Sequence, residues 1–223
     1  MGDEAELRMA WASVAAPTPR SMEVFDDLVG RHRQPHRRYH GLRHIVWVLR
    51  HSRRLEAAIA ERRDSVSGYD GTAVTAAACF HDAVYDPRAD DNEERSAELA
   101  EAQLASLGWA TARCRAVAAL IRATAGHLVD PPGDAAGPPW ELPILLDADL
   151  AVLGSEPAAY AAYVNGVRSE YAHLSASEWI EGRSMVVGRL LARSSLYATE
   201  PAATWWEERA RANLAAELAA LSR

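Results

Sequence analysis

The chain of 223 residues contains no lysine, and all 24 of its basic residues are arginines. A Walker-type phosphate loop, a Schiff-base intermediate and a Ser-Lys catalytic pair all need a lysine side chain, so the sequence excludes all three. The Gly-x-Ser-x-Gly turn of many serine hydrolases and the Gly-x-Gly-x-x-Gly turn of dinucleotide-binding proteins are also absent from the sequence. Several common catalytic motifs are therefore not available to this protein.

The scarcity of cysteines, of long apolar runs and of basic tracts indicates where the protein resides and what it binds. The two cysteines, Cys79 and Cys114, each lie in an apolar-periodic segment, so we expect core residues in a reducing, cytoplasmic setting. No apolar run approaches the roughly 18 residues of a membrane-spanning helix, and the acidic N-terminus does not resemble a secretory signal. The net charge of −7, without a strongly basic tract, argues against nucleic-acid binding. We expect no membrane or nucleic-acid partner, and the oligomeric state is left open.

The residues that are abundant predict helices. Alanine, leucine, glutamate and arginine dominate, whereas β-branched alternation is scarce, so we expect a single all-α domain over residues 1–223. Loops are predicted at 65–71 and 131–139, and Ser21 is the expected N-cap of the second helix. The predicted helices cover approximately 7–14, 21–32, 39–63, 72–83, 92–107, 111–126, a short buried segment from 144, 156–173, 176–197 and 201–221.

The stretch that ends the fourth predicted helix, 77–86, contains a buried-looking pair, His81 and Asp82. Burying an imidazole beside a carboxylate costs several kcal/mol unless something compensates both groups. A divalent cation would do so, because both groups are common metal ligands. A capped helix end with a solvated aspartate is the alternative interpretation.

Two other apolar helices carry groups of the same kind. His44 heads an apolar stripe, and Asp147 and Asp149 lie within an otherwise apolar segment. On a regular helix these two carboxylates point about 200° apart, so one would face a site while the other caps a helix.

Histidines at positions 32, 36, 40 and 44 recur every four residues. Pro35 argues against one continuous helix through all four, so His32 and His36 are predicted to be surface residues. His40 and His44 can still share a helix face, one turn apart.

The order His, His-Asp, Asp resembles the HD-domain superfamily of metal-dependent phosphohydrolases, and therefore an HD-type helical bundle. The resemblance extends over roughly residues 20–200. Within the superfamily, this stretch is similar to the small predicted HD phosphohydrolases. The matching blocks are Tyr39-His40-x-x-x-His44, Phe80-His81-Asp82-x-Val84-Tyr85-Asp86, Asn92-Glu93-x-x-Ser96-Ala97, Asp147-Ala148-Asp149-Leu150 with Gly154, Arg168-x-Glu170-Tyr171, and Gly182-Arg183.

The resemblance implies a divalent-metal site whose ligands are His44, His81, Asp82 and Asp149. Asp149 is preferred to Asp147 because the last ligand of the family precedes a leucine-type position. His40 lies where related cyclic-nucleotide phosphodiesterases keep a general acid. Asp86 and Glu93 lie where related hydrolases hold residues that orient water or substrate. The ion could be Mn, Mg, Co, Ni, Zn or Fe, since such ligands accept several metals.

Substrate contacts are predicted from the remaining cations. Arg43 lies beside His44, and Arg168 and Arg183 lie in the later matching blocks, where arginine would suit bidentate phosphate binding. A solvated surface position is the alternative for each of them. His127 is either an added contact at the site or a helix-terminal histidine that the helix dipole favours.

The resemblance implies a hydrolase that uses a metal-activated water on a small phosphorylated substrate, with a nucleotide as the expected class. The sequence lacks the Gly-Tyr-Pro block of cyclic-dinucleotide phosphodiesterases, so that activity is not implied. Two alternatives share the fold: an iron oxygenase, which would need a second metal, and a non-catalytic domain that senses a metal or a nucleotide.

Overall fold

The computed structural model describes residues 2–62, 69–126 and 140–222. Within these ranges the chain forms ten α-helices and no β-strand, so the predicted all-α fold is confirmed. A 3₁₀ turn, Ala151–Gly154, continues the seventh helix. The helices are α1 (Asp3–Val14), α2 (Pro19–His32), α3 (Leu42–Arg62), α4 (Gly71–Phe80), α5 (Asn92–Ser106), α6 (Thr111–Thr124), α7 (Glu141–Leu150), α8 (Pro157–Glu170), α9 (Ala176–Leu191) and α10 (Glu200–Leu221).

Helix α4 lies at the centre of the structure. Its side chains from Ala76 to Phe80 are all buried, and the helix packs against α1, α3, α5, α6 and α7. Its first turn is held by Asp70, which accepts a hydrogen bond from Ala73 N and is paired with Arg113. The small alanine side chains allow close packing, so the C-terminal end of α4 is delivered into the interior.

Helices α3 and α7 pack against each other and against α4. The predicted apolar stripe of α3 is buried, with Ile45, Val48 and Leu49 at most 2 % exposed. His44 lies in the first turn of α3, and Asp149 lies in the last turn of α7. The packing of the three helices therefore brings His44, Asp149 and the end of α4 together.

Cys79 and Cys114 are buried and form no disulfide, as expected of core residues. In the part of the chain that the structure describes, no helix combines the length and apolar character that membrane crossing requires.

Some predicted helix ends differ from the structure. Helix α9 ends at Leu191 rather than 197, because the Arg211 guanidinium binds the carbonyl oxygens of Leu191, Arg193 and Ser194 and stabilises a turn there. Helix α4 ends at Phe80 rather than 83, where Ala83 N turns back to Phe80 O. The predicted loops at 65–71 and 131–139 lie mostly outside the described residues.

The predicted N-cap of α2 is wrong. Thr18 is the N-cap, and Ser21 N donates a hydrogen bond to its hydroxyl.

The prediction that His32 lies on the surface is also wrong, whereas His36 is exposed as expected. His32 is only 3 % exposed, and its Nε2 lies 3.3 Å from the carbonyl oxygen of Cys79. Burial and the nearby Arg37 charge lower the pKa of His32 to about 3. The chain after α2 folds back over the end of α4, where the buried Arg37 donates hydrogen bonds to Asp82 O and Ala83 O.

Gly154 marks a close contact that can be tested. A Cβ atom there would lie 2.9 Å from both Trp206 Cα and Trp206 O, on a rigid helix backbone. We expect Gly154→Ala to lower the free energy of unfolding by about 1–3 kcal/mol through overpacking, as measured by urea unfolding. Gly188→Ala is the matched control, since nothing lies within 4 Å of its Cβ position and the free energy should rise by about 0.5–1 kcal/mol. Equal effects of the two substitutions would contradict the close contact.

Candidate metal centre

Four side-chain atoms from different parts of the chain converge where α3, α4 and α7 meet. His44 Nε2 lies 3.1 Å from His81 Nε2 and 3.2 Å from Asp82 Oδ2. Asp149 Oδ1 lies 3.2 Å from His44 Nε2 and 3.8 Å from His81 Nε2. The fifth close pair is His81 Nε2 and Asp82 Oδ2, at 3.1 Å. The cluster of His44, His81 and Asp149 could hold a metal ion.

These separations fit the spacing of ligands around a cation. With metal–ligand bonds of about 2.1 Å, neighbouring ligand atoms lie about 3.0 Å apart in an octahedral site and about 3.4 Å apart in a tetrahedral one. The ligand atoms of His44, His81 and Asp149 lie 3.1–3.8 Å apart. In addition, Asp82 Oδ2 is buried without a hydrogen bond of normal geometry, which is costly unless a cation binds it. The residues present therefore fit a divalent metal ion.

The local fold orients the His81 ring. The last carbonyl groups of a helix have no partner within the helix, and His81 follows α4 directly. Its Nδ1–H can donate to Ala78 O, 2.9 Å away, which leaves the lone pair of Nε2 facing the cluster. A hydrogen bond of this kind on the second nitrogen is the usual support of a metal-binding histidine.

The charges of the cluster balance one another. Burial alone would lower the pKa of His44, but the carboxylates of Asp149 and Asp82 outweigh it and raise that pKa to about 10. The pKa of His81 is raised, since the same two carboxylates outweigh its burial. For Asp82, the two imidazoles and His40 overcome burial and hold the pKa of the carboxyl well below its usual range. A divalent cation would take the place of the protons on the imidazoles.

Beside the cluster, the carboxylate of Glu170 holds His40 in place. Its Oε1 accepts hydrogen bonds from the backbone N–H groups of Arg38, Tyr39 and His40 at 2.7, 2.7 and 3.0 Å. Its Oε2 lies 2.7 Å from His40 Nδ1 and accepts the Tyr85 hydroxyl at 2.9 Å. Burial would raise the pKa of Glu170, but these hydrogen bonds and the His40 charge lower it to about 2.

Glu170 belongs to one of the matching blocks of the sequence, but no role was predicted for it. The signal that could have found it is an acidic residue three positions after Val167, on the buried face of α8.

The cluster opens onto a cavity of about 610 Å³. His40, His81, Asp82 and Asp149 all line this cavity. The rest of the described wall comes mainly from the start of α5, from α8 and α9, and from the connections between helices. A substrate in the cavity could therefore reach both the metal ligands and the His40 ring.

The other predicted acidic residues lie in different surroundings. Glu93 is half-buried and lines the cavity. Asp86 is exposed in a turn, where its Oδ1 accepts a hydrogen bond from the backbone N–H of Arg88. It is not among the described residues that line the cavity. Asp147 accepts the N–H groups of Ala198 and Thr199 before α10, so it is Asp149 that reaches the histidines. Burial raises the pKa of Asp147 to about 6.

Of the predicted substrate contacts, Arg183 lines the cavity, but its guanidinium is bound to Glu217. Arg168 donates hydrogen bonds to the carbonyl oxygens of Tyr171 and Leu174 instead. Arg43 is exposed and, like Arg168, does not contribute to the described wall. His127 lies outside the described residues.

Comparisons of the chain with protein-family models, with curated proteins and with solved structures found no match. The HD-domain resemblance therefore stays a prediction that depends on the residues of the blocks quoted above. Three of the four metal ligands implied by that resemblance, His44, His81 and Asp149, form the cluster that could hold a metal ion, and Asp82 lies beside both histidines.

Proposed function

We propose that the protein is a metal-dependent phosphohydrolase of the HD-domain type, acting on a small phosphorylated substrate such as a nucleotide. The observation that carries this proposal is the convergence of two imidazoles and two carboxylates at the wall of a cavity, with His40 beside them. Their order along the chain, His44, then His81-Asp82, then Asp149, is the order that the resemblance predicts.

Each group has a distinct task in this proposal. When bound, the divalent cation supplies an activated water at neutral pH and neutralises charge on the phosphoryl oxygens. Asp82 and Asp149 balance the charge of the ion, and the orientation of His81 is maintained by Ala78 O. Two of the four proposed ligands, His81 and Asp82, lie in a single turn after α4, so one short segment positions half of the ligands.

His40 is the candidate proton donor. Its Nδ1 is held by Glu170, so the other ring nitrogen, Nε2, is the one that can act in the cavity. A His40 imidazolium that donates its Nδ1–H to Glu170 can give its Nε2 proton to the leaving oxygen. Glu93, also at the cavity wall, keeps its candidate role of orienting water or substrate.

The test is the metal content of the purified protein, followed by phosphate release from a nucleotide panel with Mn²⁺, Mg²⁺, Co²⁺ and Ni²⁺. We expect about one ion per chain and release that stops on chelation and returns when metal is restored. Two iron ions with oxygen-dependent turnover and no phosphate release would favour the oxygenase. Tight binding of a metal or a nucleotide without any turnover would favour the sensor, and no metal binding at all would contradict both enzyme functions.

A further inference from the structure

Aromatic rings form much of the cavity wall beyond the metal ligands. We call Tyr85, Tyr163, Tyr171 and Trp179 the aromatic wall; each is half-buried and lines the cavity. Partly exposed rings of this kind bind flat organic groups by stacking and positively charged groups through the ring face. The cavity thus offers a surface for the organic part of a phosphate ester.

Free cations are scarce along the same wall. Arg183 is the one arginine among the described lining residues, and it is only 7 % exposed. Its guanidinium donates to both carboxylate oxygens of Glu217, at 2.7 and 3.0 Å, and to the Tyr163 hydroxyl at 3.1 Å. Its charge is therefore balanced by Glu217, and the sequence contains no lysine that could replace it.

Two carboxylates of the cavity wall have no cation paired with them among the described residues. Asp90 and Glu93 line the cavity, and in residues 2–62, 69–126 and 140–222 neither side chain forms an ion pair or a hydrogen bond. One divalent cation would be neutralised by its two aspartate ligands, and a protonated His40 by Glu170. The net charge around the rest of the cavity is therefore negative.

We propose that this cavity selects esters that carry a single phosphate group, an inference that rests on the proposed hydrolase function. The phosphate binds at the metal, and the organic part lies against the aromatic wall. Glu93 accepts a hydrogen bond from an N–H or O–H group of that part. A second and a third phosphate would meet Asp90 and Glu93 without a free cation, and like charges that lose water are unfavourable.

The charge part of the inference is tested with Asp90→Arg. Adenosine mono- and triphosphate are compared, both by kcat/KM and by equilibrium binding to the metal-loaded protein. The free metal concentration is buffered, because triphosphates bind divalent cations themselves. We expect the native protein to prefer the monophosphate by about 10-fold or more, and Asp90→Arg to remove most of that preference.

Asp91→Arg is the matched control. Asp91 is exposed like its neighbour Asp90, but it pairs with Arg95 at 3.7 Å and is not among the described residues that line the cavity. The same change of charge there should leave the preference unaltered. A native protein that favours the triphosphate, or equal effects of the two substitutions, would overturn the inference.

The position of the organic part is tested with Gly182→Leu. Gly182 lines the cavity, and nothing lies within 4 Å of its Cβ position, so the helix can accept a side chain that narrows the cavity. We expect KM for adenosine monophosphate to rise about 10-fold, while methyl phosphate, which has almost no organic part, is unaffected. Gly188→Leu, on the same helix and equally open but outside the cavity wall, should change neither.

Failure of this inference can be distinguished from failure of the hydrolase function. If no metal supports phosphate release, the hydrolase proposal fails, but the binding ratio of mono- to triphosphate still decides the question of selection. If release occurs and the triphosphate is the better substrate, the hydrolase stands and the selection is wrong. A KM that Gly182→Leu and Gly188→Leu change equally would contradict the placement of the organic part.

Discussion

Alanine in place of His81 or Asp82 is expected to remove the metal and the activity together, with kcat/KM falling by about 1000-fold or more. Each substitution takes away one of four converging donors and leaves the remaining charges of the cluster uncompensated. The measurement is metal content by mass spectrometry beside phosphate release. A variant with full metal occupancy and normal turnover would show that the ligand assignment is wrong.

Asp149→Ala and Asp147→Asn together test which aspartate of α7 binds the metal. Both positions carry an aspartate on α7, but only Asp149 lies near the two histidines. We expect Asp149→Ala to lose the metal. Asp147→Asn should keep it and lose stability instead, since Asp147 accepts two backbone N–H groups before α10. Metal loss in Asp147→Asn without unfolding would reverse the assignment of the two residues.

His40→Ala is expected to lower kcat by about 100-fold or more while most of the metal stays bound. The loss should depend on the leaving group, because a proton is needed only where the departing oxygen is strongly basic. A nucleoside monophosphate should therefore lose far more activity than p-nitrophenyl phosphate, whose leaving group departs without a proton. An equal loss on both substrates would contradict the role of His40 as proton donor.

Glu170→Gln should reproduce this pattern in weaker form, since an amide keeps one acceptor oxygen but removes the negative charge beside the His40 ring. In the His40→Ala background, Glu170→Gln should have little further effect on kcat, because Glu170 acts through His40. Tyr85→Phe is the control that removes one hydrogen bond to Glu170 and retains the ring beside His40. Independent, additive losses would show that Glu170 does not act through His40.

The sequence by itself was sufficient to predict the all-α class and the approximate bounds of most helices. Composition and a 3.6-residue period are local properties, and they predict buried stripes such as Ile45, Val48 and Leu49 correctly. It also identified which side chains could bind a metal, because an imidazole or a carboxylate at the end of an apolar helix needs a partner. The absence of lysine, and what it excludes, is likewise a property of composition alone.

Only the tertiary structure decided which of these groups meet. Asp147 and Asp149 are equivalent by composition, and the choice depends on the packing of α7 against α3 and on the backbone before α10, some fifty residues away. Glu170 reaches His40 across 130 residues of sequence. His32 is buried because the chain folds back over α4.

The charge of the cavity is also a tertiary property. Arg183 is a candidate phosphate contact in the sequence, but the fold pairs it with Glu217 on α10. Among the residues that the structure describes, no cation pairs with the side chains of Asp90 and Glu93. Local periodicity determines which face of a helix is buried, whereas charge balance depends on which distant side chains share that buried space. For this reason the helices and the ligand types could be predicted from the sequence, and Asp149 was preferred to Asp147 only through the family resemblance, whereas the support of His40 and the charge of the cavity could not be predicted.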